Sequence, residues 1–194
     1  WVRSLSGFQK EALVKSTLSG NTWRLVSDEG PYLNGHDAAP CPLAFLSVGM
    51  AASFMNEITA LGQERGVDIK FLRLTQDNYY TMRGSMLQRT MIGGAENVDL
   101  QVEIACDLDD TSLHDFLIDA TYASPLNGLM RGEHESLFKL AKNGVELPSN
   151  NVKELNSPIF PDPSGSFDKS LGMENNLDLM KPLGVTPIKK VNKG

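Results

Sequence analysis

Pro40-Cys41-Pro42-Leu43-Ala44-Phe45-Leu46-Ser47-Val48-Gly49-Met50-Ala51-Ala52-Ser53-Phe54-Met55-Asn56-Glu57-Ile58 is followed by a polar run that ends at Gly66. No charged residue occurs from Ala38 to Asn56. Leu43, Leu46, Met50, Phe54, Ile58 and Leu61 recur at helical spacing and make one apolar stripe. Ser47, Gly49, Ala51, Ala52 and Ser53 are small, so another backbone can come close on the opposite face. The first half is therefore expected to be buried all round. Pro42 suits a first helical turn, where its missing N–H costs nothing, and Gly66 suits a C-terminal stop. The stretch reads as the long central buried helix of an α+β domain. A membrane span is the rival reading, set aside here because the apolar run is short and the helix ends on Gln63-Glu64-Arg65.

On either side of this helix the pattern is mostly that of strands. Glu11 to Ser19 and Thr22 to Ser27 flank a turn signal at Gly20-Asn21 and predict a hairpin. Residues 1–9 carry no clear pattern, and Asp28 to Ala39 is a Gly-, Pro-, Asn- and Asp-bearing loop. Val67 to Thr75 predicts a strand. Tyr79 to Thr90 alternates as another, with a turn expected at Gly93-Gly94. Val98, Leu100, Val102, Ile104 and Cys106 alternate against polar residues and give the cleanest strand in the chain. Asp109-Asp110-Thr111-Ser112 predicts a helix start, with Leu113, Phe116, Leu117 and Ala120 as its buried stripe. Ser124 and Pro125 are expected to be the N-cap and first residue of a short helix to about Met130. Leu137 to Glu146 closes the pattern with a turn at Asn143-Gly144.

The chain has 194 residues, 24 acidic against 18 basic, and a net charge of −6, which argues against a nucleic-acid partner. One domain of this length buries a core without disulfides. Two cysteines, Cys41 and Cys106, do not make a disulfide framework and favour a reducing compartment, so a cytoplasmic location is expected. The chain begins at Trp1 rather than Met, so nothing is read from the lack of a leader. Residues 148–194 hold six of the ten prolines. They are expected to be a C-terminal Pro/Asn/Lys-rich extension, either disordered or an arm anchored through Ile159, Phe160, Leu177, Leu179 and Met180.

The approach Gly35-His36-Asp37-Ala38-Ala39-Pro40-Cys41-Pro42, the buried helix it opens, and Tyr122-Ala123-Ser124-Pro125-Leu126-Asn127 together resemble the OsmC/Ohr family, the osmotically inducible and organic-hydroperoxide-resistance proteins. The order of elements resembles that family over about residues 10–147, so residues 1–147 are expected to form the OsmC-like domain. The resemblance implies an antiparallel sheet around the long helix and an intertwined homodimer. It also implies a peroxide-attacking cysteine about three turns along the helix and a second, resolving cysteine just before a helix-opening proline. Here those places are held by Ser53 and Ser124. In the family the first thiolate becomes a sulfenic acid and the second resolves it as a disulfide. A serine hydroxyl does neither. The family's carboxylate after the helix-opening proline falls at Leu43 or Ala44, and Arg24 is the nearest candidate for its arginine, not placed on the motif. Phe45, Gly49, Met50 and Phe54 would line the pocket.

Each of these residues also has a plain reading. Ser53 is a small helix residue or lines a pocket, and Ser124 is an N-cap in any case. Cys106 lies on an inward strand face. Cys41 is a loop cysteine, or a thiol activated by the adjacent helix start. Asp110 with His114, His36 with Asp37, and Glu133-His134-Glu135 are weak as metal ligands, so no metal and no cofactor is expected. Ser47 lacks the first glycine of a nucleophile elbow, which argues against a hydrolase. Two functions follow. One is an OsmC-like homodimer degenerate in peroxidase chemistry that binds a small apolar ligand or is structural. The alternative is a redox protein of the oxidative-stress response that reduces hydroperoxide with Cys41. The first is preferred, because no resolving thiol is identifiable near Cys41. Neither includes a nucleic-acid or membrane partner.

Overall fold

The computed structural model describes residues 1–85, 87–150 and 152–158. Among them the chain divides into two compact units, Trp1–Ser27 with residues 156–158, and Asp28–Leu155. The extension expected at 148–194, with its anchors Ile159, Phe160, Leu177, Leu179 and Met180, lies outside the described residues from 159 on.

The first unit is an antiparallel sheet in the order β1 (Val2–Ser4), β2 (Lys10–Lys15), β3 (Thr22–Ser27). β2 and β3 form the expected hairpin, whose turn places Gly20 at φ +74°. β1 is an addition that the sequence did not announce. It pairs Arg3 directly with Glu11. The buried Glu11 carboxylate accepts from Arg3 Nε and, at 3.1 Å, from Arg24 Nη1.

The second unit is built on α1 (Pro42–Arg65). Cys41 is its N-cap, Pro42 opens its first turn, and Gly66 ends it at φ +70°, with Val67 N–H donating back to Gly62 O at 2.9 Å. Met50, Phe54, Ile58 and Gly62, each four residues after the last, are buried. Ile58 joins Phe116 and Ala120 of α2 (Asp110–Ala123) in the core, under half-buried Leu72, Leu74, Val102 and Ile104. Those four come from β4 (Phe71–Asp77) and β7 (Asp99–Ala105), an antiparallel pair in register from Phe71↔Ala105 to Asp77↔Asp99. Strand alternation puts Arg73 and Glu103 opposite each other on the outer face, where they form a two-pronged ion pair. α2 begins as expected: the Asp109 carboxylate accepts from Thr111 N and Ser112 N, both at 3.0 Å. A short α3 (Pro125–Arg131) follows directly. β8 (Leu137–Phe138) pairs in parallel with β11 (Lys153–Glu154). β9 (Leu140–Lys142) and β10 (Val145–Leu147) form a hairpin. Its two turn residues, Asn143 and Gly144, have φ of 52° and 79°, the twist a two-residue hairpin requires.

Four expectations need correction. The strand expected over Tyr79 to Thr90 stops early, as β5 (Tyr80–Arg83). Gly84 then takes φ +94°, and a Cβ there would lie 2.1 Å from Thr90 O, so the chain turns at this glycine. Gly93-Gly94, expected as a turn, lies within β6 (Ile92–Ala95), opposite Met82 and Thr81. A glycine pair is a turn signal only where positive φ is needed, and here the strand is extended. The first half of α1 is only partly covered among the described residues: Leu43 is 44% exposed, Phe45 36% and Val48 69%. Finally, α1 passes for a membrane span by length and composition alone, so the shortness of its apolar run does not exclude one. α1 packs on α2, α3 and β4 through its buried stripe, while 17% of its most apolar stretch is buried.

Candidate functional site

Ser53 sits in the third turn of α1, and Ser124 stands at the joint where α2 ends and α3 begins. Although 71 residues apart, their hydroxyl oxygens are 2.9 Å from each other. The joint is tightly held. Ser124 N–H donates to Thr121 O at 3.3 Å, Asn127 Nδ2 donates to Thr121 O at 2.8 Å, and Gly128 N–H donates to Ser124 O at 3.0 Å. Ser124 Oγ accepts the Asn127 backbone N–H at 3.2 Å, the N-cap expected from the sequence. Pro125 suits the position after the cap because it has no N–H to leave unpaired.

The proton order in this pair follows from burial. Ser124 is 1% exposed, and its hydroxyl proton has one acceptor in reach, Ser53 Oγ. Leaving a buried donor unpaired costs about 1–3 kcal/mol. Ser53 is half-buried and can turn its own proton toward the open side. Hydrogen bonding therefore runs from Asn127 N–H to Ser124 Oγ, from Ser124 O–H to Ser53 Oγ, and ends on a Ser53 proton with no acceptor among the described residues.

The surroundings are apolar with one polar edge. Met50 and Phe54 are buried beside Ser53 on α1. Gly49 faces α3, where a Cβ would make an ordinary 3.4 Å contact with Leu126 Cδ1. Phe45 is at the exposed end of the group. The sequence reading missed the polar edge. Asn78 Nδ2 points at Met50 Sδ from 3.7 Å, and Gln76 Nε2 donates to Asn78 Oδ1 at 2.7 Å. The signal was present in the alternation of β4, which carries Gln76 onto the same inward face as Leu72 and Leu74. Asp28 was missed as well. Its fully buried carboxylate accepts the N–H groups of Glu29 (2.8 Å), His36 (3.2 Å) and Ala38 (3.2 Å), which ties down the loop that leads into α1.

The other candidates take no part in the hydrogen bonds of the serine pair. Cys41 is half-buried, and its side chain makes no capping bond. Cys106 is half-buried on the inward side of the strand end, and both thiols are free. Leu43 and Ala44 offer no carboxylate. Arg24 lies in the first unit and binds Glu11. His114 faces Asp115 at 3.6 Å, both well exposed. No group of three or more His, Cys, Asp or Glu among the described residues could hold a metal ion. Chemically, the two hydroxyls have no general base within hydrogen-bond reach among the described residues, and serine forms no disulfide. The arrangement offers hydroxyl hydrogen bonds, and activation of either hydroxyl as a nucleophile would need a base from outside the described residues.

Comparison of the sequence with protein-family models and with curated proteins gives no match. Comparison of the structure does. An OsmC-like hydroperoxide resistance protein from Jannaschia sp. CCS1 aligns over 75% of this chain and 93% of its own, with a TM-score of 0.51 and 14% identity. The fold is OsmC-like. An organic hydroperoxide resistance protein from Elizabethkingia anophelis aligns over 68% of this chain and 86% of its own, with a TM-score of 0.51 and 17% identity. At such identities the likeness is one of fold. The OsmC-like architecture is the α+β arrangement of antiparallel strands and one long helix expected from the sequence.

Proposed function

We propose that this OsmC-like protein is a homodimer degenerate in peroxidase chemistry, and that it binds a small apolar or weakly polar molecule at the Ser53–Ser124 pair. The observation that carries this reading is the 2.9 Å contact between the two hydroxyls. It joins the two positions where the resemblance expects a peroxide-attacking and a resolving cysteine. Two structural neighbours are hydroperoxide resistance proteins. That chemistry needs a thiolate to attack oxygen and a second thiol to close a disulfide, and neither serine supplies one. Hydroperoxide remains one candidate ligand, bound without turnover. Cys41 is the thiol through which residual activity would run.

The homodimer is supported by the uncovered first half of α1, where Leu43, Phe45 and Val48 are exposed. In the proposed assembly this half is buried between the sheets of two intertwined subunits across a two-fold axis. Two free cysteines and the acidic balance favour a cytoplasmic protein with no nucleic-acid or membrane partner. Light scattering at micromolar concentration tests the assembly, with the dimer mass expected and a monomer mass contradicting it. Hydroperoxide consumption with a dithiol reductant, beside a Cys41→Ser variant, tests the chemistry.

A further inference from the structure

We propose that residues 159–180 dock on one face of the β1–β3 sheet of their own chain. The inference is independent of the serine pair and starts from the sheet's two faces, which differ. Strand register places Trp1, Arg3, Glu11, Leu13, Arg24 and Val26 together on one of them. At its centre Leu13 is 2% exposed and Glu11 5%. The other face carries Val2, Val14, Trp23 and Leu25, all exposed. A single layer of strands leaves both sides bare, so the first face has a cover. The large apolar residues of the turns in this unit, Leu5, Phe8 and Leu18, stay exposed, and so do Asn156, Ser157 and Pro158.

Two observations favour residues 159–180 as the cover. The first is where the chain goes. Residues 156–158 belong with the sheet and not with the Asp28–Leu155 unit from which they emerge, so the chain is delivered to this sheet as it reaches Pro158. The second is chemical. The face is apolar with a positive balance: Trp1, Leu13 and Val26 share it with two arginines that bind one glutamate. Residues 159–180 are apolar with a negative balance: Ile159, Phe160, Phe167 and Leu171 are interspersed with Asp162, Asp168, Glu174 and Asp178, against Lys169 alone. Apolar area supplies the strength of such a contact, and opposite charge fixes its place. Residues 181–194 hold Lys181, Lys189, Lys190 and Lys193 and no acid, the wrong sign for this face.

Photo-cross-linking in the full-length protein tests the docking. p-Benzoylphenylalanine replaces Phe160 in one variant and Phe167 in another. Unlabelled and heavy-isotope-labelled copies are refolded together, irradiated, digested and mapped by mass spectrometry. Links to peptides within residues 1–27, each inside one label, are expected. No link to residues 1–27, or links there that join the two labels, overturns the docking. Hydrogen exchange gives a separate reading. Leu13 N–H donates to Trp1 O at 2.8 Å at the centre of this face. In Phe160→Ser/Asp162→Lys its exchange should quicken about tenfold or more as the cover loosens, while the amides of Val102 and Ile104 in β7 keep their rates. Unchanged exchange at Leu13 overturns the proposal.

Discussion

Replacing Ser124 by alanine should destabilise the protein through two separable losses. Ser124 Oγ caps α3 by accepting Asn127 N–H at 3.2 Å, and loss of such a cap costs about 1 kcal/mol. Its 2.9 Å bond to Ser53 also disappears, worth about 0.5–1.5 kcal/mol for a hydrogen bond of this kind. The sum is about 2 kcal/mol, and in a chain of this size that lowers Tm by about 4–8 °C. Ser53→Ala removes the second contribution alone and leaves the buried Ser124 proton without an acceptor, so it should cost about 1 kcal/mol despite alanine's better helix propensity. The double variant should be less destabilised than the two single losses together. The difference, about 1 kcal/mol, is the coupling between the hydroxyls. Urea unfolding of the four proteins closes the cycle. Additivity within about 0.3–0.5 kcal/mol would show that the two serines do not interact and would refute the site geometry.

The double variant Ser53→Cys/Ser124→Cys should oxidise to an intramolecular disulfide, because two oxygens already in contact need only a small shift to reach S–S bonding distance. After mild oxidation, mass spectrometry under non-reducing conditions should find two hydrogen atoms fewer, their electrons having passed to the added oxidant, and a fully reduced protein would count against the pairing. Gly84→Ala should cost more than about 1 kcal/mol, since φ is +94° and the new Cβ would meet Thr90 O at 2.1 Å; thermal unfolding unchanged by this substitution would contradict the turn. The Asp109 carboxyl is held below its ordinary pKa, chiefly by the backbone N–H of Ser112. Its folded pKa therefore lies below its unfolded one. The stabilisation is present above the ordinary carboxylate range and is lost as pH falls through the folded value. Urea midpoints measured from pH 6 down to pH 3 should fall less steeply in Asp109→Ala than in the parent, and identical slopes would remove the cap's electrostatic role.

Where the chain carries its own punctuation, the fold could be read from sequence. Pro42 and Gly66 bracket α1, Asp109 and Ser112 open α2, and Asn143-Gly144 turns the β9–β10 hairpin. The alternation of β7 declares one buried face. Other features were less legible because their cause is not local. β1 is three residues long and exists by pairing with β2. Gly84, rather than the more conspicuous Gly93-Gly94, turns the β5–β6 hairpin, because the strand register decides which glycine needs positive φ. Leu43, Phe45 and Val48 on the first half of α1 are exposed among the described residues, so an apolar surface all round a helix does not by itself announce burial. No periodicity connects Ser53 to Ser124 across 71 residues. Only the resemblance paired them, whereas the Ser124 cap was readable from Ser124-Pro125 by itself. Asp28 stayed hidden because its ligands are backbone N–H groups up to ten residues away.

The most direct test of the serine-pair account is hydroperoxide turnover. Purified protein, supplied with an organic hydroperoxide and a dithiol reductant, should consume peroxide at the rate of the buffer blank, and Cys41→Ser should behave identically. Turnover well above the blank that disappears in Cys41→Ser would contradict the account and move the chemistry to that thiol.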